Sequence, residues 1–324
     1  MTLNRRQLLL SCSAALALPS AGWAQAKPVI RLLVGFPPGG ATDAIARVVA
    51  DRLPKVLGQP VIVENKPGAG GRMAADLLLA SPADGLTFMV APNATPTFQM
   101  LVFKEGLKWN SLTSFVPVAS FASYPLGMGV AADLGVNNAR EFVEWARKNP
   151  GKAGFGTPGM GGQNHFLGVQ LAKAAGLDLL VMPYKGSPPM VTDLVGGHVP
   201  SAISLLDGMM AHHRSGKIKV IGLFTKERSP LMPDIPTFAE QGLNVTTGEA
   251  WTGMWARAGT PAAEVQRMEK AIQQVLQMPD VKEVMSQRLM VTPLFRNSAQ
   301  MDTLQREELA HWEPIIAASG FKPD

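Results

Sequence analysis

The clearest chemistry in the chain sits in one short stretch, Gly39-Gly40-Ala41-Thr42-Asp43. An apolar run before it, Val29 to Val34, reads as a buried strand, and the apolar residues from Ala44 to Leu53 recur at helical spacing. Phe36, Pro37 and Pro38 lead into the two glycines, and Thr42 and Asp43 are good helix-capping residues. A strand, a tight glycine loop and a helix start together aim several backbone N–H groups, and the positive end of a helix dipole, at one point. Such a point holds an anion. Taken alone, this loop suits phosphate and carboxylate equally.

The pattern occurs twice. Ala153 to Gly156 reads as a short strand, Thr157-Pro158-Gly159-Met160-Gly161-Gly162-Gln163-Asn164-His165 as a glycine loop with a polar cap, and Phe166 to Ala175 as a helix. A third polar loop, Asn93-Ala94-Thr95, follows the strand Leu86 to Ala91. It stands at the carboxyl end of a β-α-β-α-β series, where open parallel sheets bind ligands. Asp207 closes the strand Val199 to Leu206, where it either accepts from a ligand amine or hydroxyl or caps the next turn. His165 either donates to an anion or makes a structural hydrogen bond. Thr42, Asp43, Asn93, Thr95, Thr157 and Gln163 supply donors and acceptors, but no activated nucleophile or evident general base accompanies them, which favours binding over catalysis.

Other chemistries find no support. There is no Gly-x4-Gly-Lys-Ser/Thr phosphate loop and no G-x-S-x-G elbow, and neither Gly68-Ala69-Gly70-Gly71 nor Gly159-Met160-Gly161-Gly162 has the G-x-G-x-x-G spacing of a dinucleotide site. His212-His213 has no Cys or carboxylate at ligand spacing and reads as a solvated helix end, so no metal and no cofactor is expected.

The 324 residues suffice for two domains. Residues 1–26 differ from the rest: Arg5 and Arg6, an apolar centre from Leu8 to Leu18, and Ala24-Gln25-Ala26 form a secretory signal with a cleavage site. Asn4-Arg5-Arg6-Gln7-Leu8-Leu9 also fits a twin-arginine signal, which leaves the export route open. Cys12, the only cysteine, lies in this segment after an apolar stretch too short for lipidation, so the mature chain holds no disulfide and no thiol nucleophile. Without Arg5 and Arg6, 28 basic residues face 25 acidic ones, a dispersed +3 that does not suit a nucleic-acid binder. Beyond the leader, two α/β series follow one another. Phe115 to Met128 is placed to carry the chain into a second lobe, and Ile218 to Thr225 to return it. The expected fold is α/β with two lobes, formed by residues 27–122 with 226–324 and by residues 123–225.

Several further stretches carry a resemblance over nearly the whole mature chain. They are Phe36-Pro37-Pro38-Gly39-Gly40-Ala41-Thr42-Asp43, Val63-Glu64-Asn65-Lys66-Pro67-Gly68-Ala69-Gly70-Gly71, Pro82-Ala83-Asp84-Gly85, Pro183-Tyr184-Lys185-Gly186, Asp193-Leu194-Val195-Gly196-Gly197, Leu231-Met232-Pro233-Asp234-Ile235-Pro236-Thr237 and Gly259-Thr260-Pro261. In this order they resemble the substrate-binding proteins of tripartite tricarboxylate transporters, the Bug receptors. The resemblance implies a periplasmic binding protein of type II topology that closes on a small carboxylate. Carried over, the ligand residues are Phe36, Gly39, Gly40, Ala41, Thr42, Asp43, Asn93, Ala94, Thr95, Thr157, Pro158, Gln163, His165, Tyr184 and Asp207, with no catalytic residue. Gly35 stands where proline is common in the family, Gln163-Asn164 replaces the usual Ser/Thr before His165, and Leu206-Asp207 replaces the frequent Phe-Asp pair. These departures fall on the ligand side and bear on ligand identity rather than fold.

The leading expectation is a monomeric, periplasmic receptor that hands a carboxylate to the membrane permease subunits of such a transporter. A sensor module that passes the signal to a two-component kinase, or a secreted enzyme using Asp207 or His165 as base, are the alternatives.

Overall fold

A computed structural model describes residues 27–245 and 249–322. The expected leader lies outside the described residues. The strands are β1 (Ile30–Val34), β2 (Val61–Asn65), β3 (Thr87–Pro92), β4 (Phe115–Tyr124), β5 (Leu126–Ala131), β6 (Gly154–Thr157), β7 (Leu180–Pro183), β8 (Ser201–Leu205), β9 (Ile218–Leu223), β10 (Ala250–Arg257) and β11 (Thr292–Asn297). The longer helices are α1 (Ala41–Ala50), α2 (Arg72–Ala80), α3 (Ala139–Lys148), α4 (Gln163–Ala175), α5 (Ser187–Val195), α6 (Asp207–Arg214), α7 (Ala262–Gln277) and α8 (Ser298–Ala318).

The run of apolar residues in β1 does not alternate, because both its faces are covered. It lies parallel between β2 and β3, with Leu32 opposite both Val63 and Phe88. Two sheets result, in the orders β2-β1-β3-β10-β4-β11 and β7-β6-β8-β5-β9. Over five positions they follow one plan, with a single antiparallel strand fourth in line. That strand is in each case the one arriving from the other sheet. The chain leaves the first sheet through Pro125, between β4 and β5, and re-enters it at β10. The Phe224 N–H donates to the Leu126 carbonyl at 2.9 Å, which ties the return path to the outgoing one. This is the two-lobed arrangement of type II binding proteins, as the motifs implied.

Packing fixes where the helix starts lie. Helix α4 lies so close on β6 that a Cβ at Gly168 would fall 2.1 Å from the Phe155 ring. Helix α8 opens with a capping box between Asn297 and Gln300 and crosses β10, where Met301 occupies the space beside Gly253. Trp251 and Trp255, four residues apart on β10, stack at 5.7 Å and send their indole N–H groups to Glu308 and Gln305 of α8.

Three expectations shift. Helices α1 and α4 begin at Ala41 and Gln163, so Thr42, Asp43 and Asn164, His165 belong to the first turns and the caps are Gly40 and Gly162. The residues after β3 are wound into a helical turn over Ala94–Gln99 rather than an open loop. Strand β11 was not expected, since Pro293 and Arg296 interrupt its pattern; it is an edge strand with an irregular register.

At the carboxyl end of β1 the backbone has no room to spare. A Cβ at Gly35 would lie 2.5 Å from Gly71 Cα, and one at Gly71 would lie 2.4 Å from Thr95 Oγ1. Glycine at these positions thus lets the loops after β1, β2 and β3 approach one another closely. Gly35→Ala should lower stability by about 1–3 kcal/mol, the range for forced overpacking. Thermal unfolding checks this, and an unchanged midpoint would mean that the loops yield freely.

Candidate ligand-binding site

In the first lobe, Gly39 adopts a φ of +78°, a region glycine enters without penalty. Its N–H thereby points back to Asp43 Oδ2 at 2.8 Å. The same carboxylate accepts from Arg47 Nε at 2.9 Å and Asn65 Nδ2 at 2.8 Å, and Asn65 Nδ2 also reaches the Phe36 carbonyl at 3.1 Å. Burial tends to raise the Asp43 pKa, but these bonds outweigh it and hold the carboxyl below its usual range. Asp43 is therefore an ionised brace for the loop, with its oxygens spent inside the protein. What remains free is backbone. The N–H groups of Ala41, Thr42 and Asp43 form the first turn of α1, where no preceding carbonyl can reach them.

The second lobe repeats this. Gly161 has a φ of +70°, and its N–H donates at 3.2 Å to Nδ1 of His165, again four residues on. Gly162, like Gly40, is extended, and the N–H groups of Gln163, Asn164 and His165 open α4. His165 is the counterpart of Asp43. Accepting at Nδ1 requires the neutral ring with its proton on Nε2, and burial agrees, pushing its pKa down to about 4. Of the two readings left open for His165, the geometry realises the structural hydrogen bond. The ring also packs against Phe166 and meets Phe321 edge-on at 4.9 Å.

Two direct contacts join the segment after β3 to the start of α4. Asn93, at the end of β3, donates through Nδ2 to Gln163 Oε1 at 3.2 Å, across the lobes. Beside it, Phe98 faces Phe166 at 6.2 Å, and Phe321 meets Phe166 edge-on. Thr95 is buried with its hydroxyl on the Gly70 carbonyl, and Phe36 lies near Gly71, so both shape the first cradle. Ala94 begins the turn that follows Asn93. Thr157 donates its hydroxyl to the Gly159 carbonyl, and the Pro158 carbonyl accepts from Gly186, which braces the second loop. Tyr184 turns its hydroxyl to Asp193 at 2.7 Å, along its own lobe. Asp207 opens α6, half-buried, its pKa raised by burial and moderated by the N–H groups of Gly208 and its own backbone.

One residue was not expected. Glu308 of α8 accepts from Trp251 Nε1 at 2.7 Å, Asn93 Nδ2 at 3.1 Å and Thr97 Oγ1 at 3.2 Å. Burial pushes its pKa up to about 7, against those bonds and the charge of Arg296. No local signal in the sequence separates it from the exposed acids of the same helix.

Comparison with known proteins decides the family. The profile of the tripartite tricarboxylate transporter family receptor matches residues 45–321. The chain belongs to that family. BugT of Bordetella pertussis is 31% identical over 311 residues, covering 96% of this chain and 95% of BugT. Among solved structures, Rhodopseudomonas palustris Rpa4515 with adipate superposes with a TM-score of 0.85 at 27% identity, covering 93% of this chain and 100% of that one. MatC from the same organism, with bound malate, gives 0.81 at 27%, covering 89% and 99%. This tripartite tricarboxylate receptor thus shares the fold of periplasmic binding proteins.

In the receptor, His165 makes acid stability testable. Its depressed folded pKa means the unfolded chain takes up a proton first, so its contribution is whole above about 6.5 and falls away toward about 4. His165→Asn keeps an acceptor for Gly161 but does not titrate. The wild type should melt above the variant at pH 7, with the gap narrowing steadily to pH 4.5. A gap independent of pH would show that the folded pKa of His165 is not depressed.

Proposed function

We propose that this receptor captures a small organic acid in the periplasm, one carboxylate lying between the two helix starts, and delivers it to the membrane subunits of a tripartite tricarboxylate transporter. The observation that carries this is the paired cradle. Two glycine loops, each braced by the third residue of the following helix, leave three first-turn N–H groups apiece without an intrahelical partner. A charge-assisted hydrogen bond contributes roughly 1.5–3 kcal/mol, so a handful of such donors can hold a carboxylate without any cationic side chain. The adipate and malate held by the two similar structures support a ligand of that class. Export through the N-terminal segment, a monomeric receptor without catalysis, and lobe limits at residues 27–122 with 226–324 and 123–225 complete the proposal.

The wild-type protein should melt at higher temperature with malate, adipate or another small carboxylate. At a hundredfold excess over Kd the gain is about 2.7 kcal/mol. No shift across a broad panel of mono- and dicarboxylates would sink the proposal, and turnover of a bound acid would make the protein an enzyme.

The cradle itself can be tested by deleting one donor. Since α1 begins at Ala41 after an extended Gly40 (φ −74°, ψ 163°), proline fits at Ala41 better than at Thr42, where the preceding residue is helical. Ala41→Pro should keep the fold and weaken carboxylate binding roughly tenfold or more. Titration calorimetry reads this. Full affinity in a folded Ala41→Pro protein would remove that N–H from the site.

A further inference from the structure

Three side chains form a line from the C-terminal helix of one lobe to the cradle of the other. Glu308 on α8 bonds Asn93 after β3, and Asn93 bonds Gln163, the first residue of α4. We propose that Glu308 is a positioning residue for the second cradle: acting through Asn93, it fixes the Gln163 amide with its oxygen toward Asn93 and its nitrogen toward the cleft. The role in ligand binding rests on the carboxylate reading above; the amide orientation does not.

The polarity follows from donor and acceptor counts. An ionised carboxylate only accepts. Glu308 Oε1 receives the Trp251 indole N–H at 2.7 Å and the Asn93 amide at 3.1 Å, while Oε2 receives the Thr97 hydroxyl at 3.2 Å. Asn93 must therefore present its NH2, with one proton for Glu308 and the second for Gln163. Gln163 can then meet Asn93 only with its carbonyl oxygen, at 3.2 Å. Its own NH2 is forced to the opposite side, and among the described residues no protein acceptor is found for it. Beside three backbone donors, a glutamine held this way adds a further donor. A freely turning amide would present its oxygen to the anion as readily.

Neutral Glu308 breaks the logic, since a carboxylic acid can donate to the Asn93 oxygen and let both amides turn over. The groups around it are Trp251 of β10, Asn93 and Thr97 after β3, Arg296 of β11, and the Tyr124 phenol of β4, whose pKa is raised in part by the Glu308 charge. Burial against these neighbours brings the Glu308 pKa up to about 7, so the changeover falls near neutrality.

The first measurement needs no ligand. In 15N-labelled protein the side-chain amide signals of Asn93 and Gln163, assigned with Asn93→Asp and Gln163→Met, are followed from pH 5.5 to 8.5. Both should titrate together in the wild type, with one midpoint near 7, and the Gln163 signal should not titrate in Glu308→Gln. A Gln163 signal that stays fixed in the wild type overturns the proposal. The second uses malate and adipate as probes. Binding should be roughly three- to tenfold tighter at pH 8 than at pH 6, the size of one hydrogen bond. Glu308→Gln should abolish that difference and add no further loss in a Gln163→Met background. Tighter binding at pH 6, or tighter binding by Glu308→Gln at pH 8, would show that repulsion from the Glu308 charge governs and would overturn the role. If neither acid binds the wild type, the carboxylate reading loses its support, and the amide titration still decides the orientation.

Discussion

The first three N–H groups of an α-helix have no carbonyl to bond, and the receptor is built around that deficit. In most helices a cap side chain or water fills it. Here the caps are glycines, Gly40 and Gly162, which bring no side-chain oxygen of their own. The bracing bond comes instead from the third helical residue and goes backward, to the N–H of the glycine before the cap. This closes the loop while leaving the first-turn donors unspent. The glycine packing at Gly35 and Gly71 serves the same end, because a Cβ at either position would press the loops apart.

The two braces differ in charge, and each is offset locally. Asp43 would repel an anion, but Arg47 lies one turn along α1 at 2.9 Å and the carboxylate oxygens face the loop. His165 is neutral and sits against Phe166 and Phe321. Both helix starts therefore present neutral or neutralised surroundings and oriented dipoles, the setting in which helix starts hold anions best.

Much of this was legible in the sequence, because both cradles are local. Glycine pairs between an apolar run and a helical period mark a strand-loop-helix junction wherever they occur, and the family motifs reinforced them. The exact helix starts were less so. Thr, Asp and Asn favour the cap and the first turn alike, so residue type alone does not say which of the two Thr42 or Asn164 occupies. Strand β11 was hidden because an edge strand with proline lacks the alternation of a half-buried one. Glu308 was hidden for another reason. Its partners lie 57 to 215 residues away, and an acid in a long amphipathic helix reads as solvated until tertiary contacts bring Trp251, Asn93 and Thr97 to it.

Those long-range contacts belong to the same region in which the two sheets meet. Each cradle is complete within its own lobe, so neither needs the other to form. What joins them is the Asn93–Gln163 bond and the ring contacts of Phe98, Phe166 and Phe321. Both belong to the segment after β3, to α4 and to the C-terminal end of the chain. Separation of the two sheets would break these contacts. The Asn93–Gln163 amide bond is directional, whereas the rings tolerate sliding. Asn93 thus carries the directional contact, and Glu308, which accepts from Asn93, stands on a helix that makes no part of either helix start.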